Sequence, residues 1–225
     1  MNGTALAFLP IVSVIALLLS LPRFLEGVLA LPGNSALEDI YAGVGGQDAV
    51  DALAQSRERT LAVIDRGKYH SDLATALVAR GRMQQGDERT ATFDRAVKEA
   101  VRGVAQAPAD ATAWFRLARA SFARDGANQR AVDAALSSIA VGPYETELLI
   151  PRLEILFASR SYLSHQSDDI IDSQVRVAWK RYSTHFDLVR TIRRNGAADI
   201  VRRSLTREPS MMAGFDETLA SPNIR

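Results

Sequence analysis

The chain of 225 residues carries 27 Lys and Arg against 26 Asp and Glu, with 3 His and no Cys, and 47% of its residues are hydrophobic but only 7% aromatic. This length fits one compact domain plus an appendage, and the apolar fraction is too high for wholesale disorder. The lack of Cys excludes disulfides, thiolate metal sites, iron–sulfur clusters and a cysteine nucleophile, and a net charge of +1 gives no global reason for nucleic-acid binding.

The first element is a membrane signal. Residues 1–22 contain no charged side chain, and residues 5–21 read ALAFLPIVSVIALLLSL before Pro22 and Arg23. A helix needs roughly 20 apolar residues to cross the hydrocarbon core, with about 17 as the lower limit. Pro10 falls in the first turns, where it does least damage. Apolar character resumes as FLEGVLAL, so residues 1–31 are assigned to a transmembrane anchor that meets lipid through residues 5–22. A cleaved signal peptide is the competing reading. It would call for a basic start, and Met1-Asn2-Gly3-Thr4 supplies none. Arg23 alone, counted by the positive-inside rule, weakly favours a cytoplasmic C-terminal domain.

Pro32-Gly33-Asn34-Ser35 and then Gly43, Gly45 and Gly46 are breakers, so residues 32–47 are expected to form a tether. From Asp48 the apolar period is helical. Candidate helices are 48–66, 69–85, 88–106, 110–124, 127–141, 145–160, 167–182, 184–194 and 197–206, separated by Gly86-Asp87, Pro108, Asp125-Gly126, Gly142-Pro143, Asn195-Gly196 and Pro209. Short loops between helices of this length imply antiparallel neighbours. Thirteen of the 35 Ala lie between 101 and 140, which permits close helix approach. The expected class is all-α, with a helical domain over 48–208 and a tail over 209–225.

Residues 111–143 resemble a tetratricopeptide unit, a 34-residue helix–turn–helix. Trp114, Leu117-Ala118, Phe122, Gly126, Ala131, Ala135 and Pro143 take its positions, with a one-residue displacement from Phe122 onward. Upstream, Ala96, Ala100, Gly103 and Pro108 match the second half of a weaker unit, in which Arg80 stands where the Trp belongs. The resemblance implies a right-handed array of antiparallel helix pairs, each burying its face against the next. A narrower resemblance rests on Ala113-Trp114-Phe115-Arg116-Leu117-Ala118, Gly142-Pro143-Tyr144-Glu145, Arg152-Leu153-Glu154 and Val177-Ala178-Trp179. Together these are similar to small membrane-anchored repeat proteins of proteobacteria that accompany envelope polysaccharide systems. That similarity implies an inner-membrane, single-pass protein with a periplasmic C-terminal domain, and it brings no catalytic residues.

Reactive constellations are sparse. Asp168-Asp169-Ile170-Ile171-Asp172 is a DDxxD string, which holds Mg²⁺ and diphosphate in isoprenoid synthases, but the second acidic motif that chemistry needs is missing. Acids after Ser167 also suit the first turn of a capped helix. His70, His165 and His185 lack metal-pair spacing, and His70 and His165 are expected in loops. Gly43-Val44-Gly45-Gly46 lacks the Lys-Ser/Thr of a phosphate loop. Trp114 and Trp179 sit at helical spacing among apolar neighbours and are expected to pack in the core.

Residues 176–207 hold nine cations against Asp187 and Asp199. Of these, Arg190, Arg193, Arg194, Arg202 and Arg203 are candidates for an anionic surface such as lipid headgroups. A groove around Arg80, Arg116 and Arg119 is the candidate partner-binding site. The expected function is a non-enzymatic, membrane-anchored scaffold that supports exopolysaccharide or O-antigen assembly. Its partners would be other proteins, with no nucleic acid, cofactor or metal. Two alternatives are a cytoplasmic-face adaptor whose basic C-terminal region binds lipid, and a Mg-dependent enzyme using the DDxxD string.

Overall fold

The computed structural model describes residues 3–221, and for residues 3–13, 15, 16 and 182 the backbone alone. The described residues are all-α. Eleven helices follow in order: α1 Gly3–Tyr41, α2 Gln47–Leu61, α3 Gly67–Met83, α4 Gly86–Gln106, α5 Ala111–Asp125, α6 Gln129–Val141, α7 Thr146–Ala158, α8 Asp168–Lys180, α9 Tyr182–Asn195, α10 Ala198–Leu205 and α11 Pro209–Ala220. Two short 3₁₀ turns join α7 to α8.

Local chemistry sets the ends. The Asp110 carboxylate accepts from the amides of Thr112 and Ala113 at the start of α5, and Asn128 accepts from Ala131 to cap α6. Gly196 closes α9 in the left-handed conformation. The carbonyls of Asn195 and Gly196 then accept from Arg160 at 2.9 and 2.8 Å. Pro209 opens α11, where its missing N–H costs nothing.

The middle of the chain stacks as helical hairpins. α3 packs on α4 and α5 on α6, while α4 lies against α5 and α3 also reaches α5. Small residues permit this. Ala74, Ala76, Ala96, Ala100, Ala113, Ala118, Ala131 and Ala135 are fully buried between helices. A Cβ on Gly103 would stand 2.2 Å from the Ser71 hydroxyl, so α4 can meet α3 there only as glycine. α7 is a central element whose Leu149, Leu153 and Leu156 have no exposed surface. It continues through Pro151 with one backbone rung lost. Beyond it the simple pairing changes, because α7 packs more extensively on α9 than on α8.

Arg152 joins α6 to α7. Its guanidinium donates to the Ser138 hydroxyl and to the carbonyls of Ser138 and Gly142, all within 2.9 Å, which supplies a cation and three donors to the C-terminus of α6. Burial outweighs the nearby Glu145 charge and lowers its pKa to about 10, so it remains charged at neutral pH.

Two elements differ from expectation. The stretch 32–41 is not tether but the end of α1, and only residues 42–46 turn the chain into α2. Helix continues through Pro32-Gly33 because tertiary contacts override local preference. The carbonyls of Leu29 and Ala30, one turn before Pro32, accept from Ser56 and Arg57 at 2.7 and 2.9 Å. Gly33 leaves room for that approach, since a Cβ there would lie 2.6 Å from Arg57 Nη1. The tail from 209 also differs: it folds as α11 and buries Phe215 completely.

Among the described residues, no helix is both long and apolar enough to cross a membrane. The backbone of the 5–21 run is helical, and most of its side chains lie outside the described residues. Within α1 the described Leu17, Leu18, Leu19, Phe24, Val28 and Leu31 are all exposed.

Candidate functional site

The strongest electrostatic feature is a cluster centred on Asp72, which has no exposed surface. Arg57, equally buried, donates from Nε to Asp72 Oδ2 at 2.9 Å, from Nη1 to the Ala30 carbonyl, and from Nη2 to Asn34 Oδ1 at 2.7 Å. Its guanidinium also lies over the Tyr69 ring, 5.4 Å from the centroid. Arg116 Nη1 lies 2.5 Å from Asp72 Oδ1 as an ion pair, and its Nη2 donates to the Tyr41 hydroxyl. One carboxylate thus fastens α1, α2, α3 and α5 together. Burial works to lower the Arg116 pKa, but Asp72 and Tyr41 outweigh it and hold the group above its ordinary value. A second tie lies at Glu26 on α1, which takes Arg66 at 2.7 Å and the Tyr69 hydroxyl at 2.9 Å. Burial and then Glu26 push the Tyr69 phenol upward.

The three arginines of the expected groove therefore separate. Arg116 faces inward and is committed to Asp72. Arg80 pairs with Asp51 at 2.8 Å on an open surface. A Gln47 hydrogen bond, and then Arg80, hold the Asp51 carboxyl low. Arg119 lines a cleft, a cavity of about 430 Å³ between α5 and α7 that is bordered by the ends of α3 and α9. Its apolar wall is Phe115, Phe122, Pro151 and Ile155, and its cationic rim adds Arg82 from α3 and Arg194 from α9. Arg194 pairs with Glu154, also on the rim, at 2.5 Å. Burial, and then the like charge of Arg82, push the Arg119 guanidinium below its ordinary value. Arg116 and Arg119 are separated by one helical turn, so sequence spacing grouped them. They share one side of α5, and their surroundings divide them: Arg116 is held by Asp72, while Arg119, one turn on, reaches the cleft.

A second cavity of about 690 Å³ contains His70, which sits on α3 rather than in the expected loop. Its ring nitrogens lie 2.6 Å from Glu99 and 2.6 Å from Asp65. Hydrogen bonds from Gln106 and then from His70 hold the Asp65 carboxyl low.

The five C-terminal arginines have partners within the chain. Arg190 pairs with Asp187, Arg194 with Glu154, Arg202 with Asp216 at 3.0 Å, and Arg203 with Asp168 at 2.9 Å. Arg193 donates to the carbonyls of Leu219 and Ser221, which fixes the end of α11. Arg203 and Ser204 also engage Asp172, so two carboxylates of the DDxxD string are occupied by protein donors. Among the described residues, no group of three or more His, Asp or Glu side chains is placed to hold a metal ion. Ser167 stands just before α8, but its hydroxyl donates to the Ser164 carbonyl instead of capping the helix. Trp179 is buried, stacked on His185 with centroids 4.3 Å apart and edge-on to Phe215.

Sequence reasoning missed Asp72, Arg57 and Arg82, and it singled out Arg152 by resemblance without its role at the end of α6. Asp72 and Arg57 carried a faint signal, as charges at positions where the helical period calls for core residues. Comparison with family models, curated proteins and solved structures finds no match for this chain.

Proposed function

We propose that this chain is a non-enzymatic scaffold tethered to a membrane by its first helix, with a tetratricopeptide-like right-handed array that presents a docking face to partner proteins. The observation that carries the reading is the double character of α1. Its residues 17–31 display a row of exposed large apolar side chains, while Ala30, Asn34 and Tyr41 of the same helix are fastened to the buried Arg57–Asp72–Arg116 cluster. Exposed apolar surface of that extent calls for lipid or a partner. The uncharged run from residue 5 supplies the remaining length of a span. A tether raises the effective concentration of the domain for anything else at the same membrane. Service to exopolysaccharide or O-antigen assembly at a bacterial inner membrane, with the domain in the periplasm, belongs to the same proposal and rests on the family resemblance of the packing residues.

Flotation of membranes from cells that make the chain tests the tether. The wild type should float with lipid and resist carbonate extraction, and a Leu17→Arg, Leu21→Arg variant should not; equal behaviour of the two would end the proposal. Phosphatase fused after Arg225 should be active if the domain is periplasmic. Loss of the chain should change the length distribution of a surface polysaccharide, and an unchanged distribution would remove that role.

A further inference from the structure

The cleft gathers three guanidinium groups around one carboxylate, Glu154, which is paired with Arg194. Among the described residues Arg119 and Arg82 have no hydrogen bond or ion pair, although Arg119 is half-buried and Arg82 adds like charge beside it. Neighbouring arginines elsewhere are used internally, Arg116 by Asp72 and Arg80 by Asp51. Glu154 across the cleft is a counter-charge to Arg119, but it makes no close ion pair with it and is already engaged by Arg194. A cation withdrawn from water with so little compensation is unfavourable, and an external anion would complete the site. The net charge of the lining is positive, three guanidinium groups against Glu154. The planar fork of an arginine matches a carboxylate through two parallel hydrogen bonds. The floor is not polar: Phe115, Phe122, Pro151 and Ile155 would bury an aliphatic or aromatic side chain. A cationic rim over an apolar floor suits an amphipathic anion better than a fully hydrophilic one.

We propose that the Arg82–Arg119–Arg194 cleft receives an acidic peptide segment whose carboxylates meet the guanidinium groups while an apolar side chain between them fills the floor. The choice of a peptide rests on the scaffold reading. Arg194 is the adjustable member: in the free chain it holds Glu154, and a peptide carboxylate exchanges with Glu154 for the same fork.

The test uses the full chain in detergent micelles and a fluorescein-labelled peptide, Asp-Glu-Phe-Asp-Leu-Glu, followed by anisotropy. The acidic peptide should bind and weaken as salt rises, while a counterpart with Lys at the acidic positions should not bind. Arg119→Met and Arg82→Met should each weaken binding about tenfold or more. Glu154→Gln should strengthen it about threefold or more, by removing a competing carboxylate, and a misfolded variant cannot imitate that gain. Arg202→Met, away from the cleft, should bind like the wild type. Arg119→Met should also melt about 2–4 °C higher, because it removes an unpaired buried charge. Equal binding of the acidic and Lys peptides, or wild-type affinity in Arg119→Met, overturns the proposal. So does binding of oligogalacturonate in place of the peptide, which would make the cleft a receptor for an acidic glycan. Membrane flotation is independent of all these variants. Loss of peptide binding with flotation intact sinks only the peptide, and the converse sinks only the tether.

Discussion

Asp72 is the residue on which the interior charge balance turns. Two guanidiniums converge on its carboxylate, and Arg57 has no exposed surface at all. Replacing it with Asn keeps the volume but leaves both cations buried without a counter-charge, which is expected to cost about 3–5 kcal/mol. Urea unfolding followed by circular dichroism measures this, and a loss below about 1 kcal/mol would mean that water reaches the cluster. His185 behaves in the opposite sense. Burial holds its imidazole below the ordinary value of 6.5, so the folded chain binds that proton less readily than the unfolded one. The contribution to stability is whole above about pH 6.5 and is lost as pH falls below it. Thermal melts at pH 7.5 and 5.5 should therefore show a larger drop for the wild type than for His185→Gln. Little of this charge network was legible beforehand. Arg116 and Asp72 lie on different helices, α5 and α3, and no local pattern pairs residues so far apart in sequence.

At the scale of elements, the sequence was far more legible. Helices α2 to α10 begin and end within a few residues of the breakers that mark them, because Asp110 and Asn128 cap by their side chains and Gly126 and Gly196 adopt positive φ. The two departures have separate causes. α1 crosses Pro32-Gly33 on the strength of contacts from α2, which only the folded chain contains. α11 carried its own signal, since Met211, Phe215 and Leu219 recur every four residues after a Pro at the first helical position. That helix is structural, with Phe215 wholly buried and edge-on to Trp179. Phe215→Ala is expected to cost about 3–5 kcal/mol and to shift Trp fluorescence to the red as water reaches the ring. An unchanged melting temperature would show that α11 is only lying on the surface.

Across the whole molecule, α1 and the helical stack are one body from Glu26 onward, since Arg66, Tyr69, Ser56, Arg57 and Arg116 all hold it. Spin labels at Leu31 and Lys98 should accordingly give a single narrow distance by electron–electron resonance. Gly33→Val should broaden it, because any side chain there collides with Arg57 and Ser56. A broad distribution in the wild type would show α1 hinged. The same fastening has a mechanical meaning. A helix rooted among interior charges has no slack, so a pull on its greasy end would be borne at once by the salt-bridged centre, and the arginine cleft would keep one fixed compass bearing relative to anything that took hold of that end.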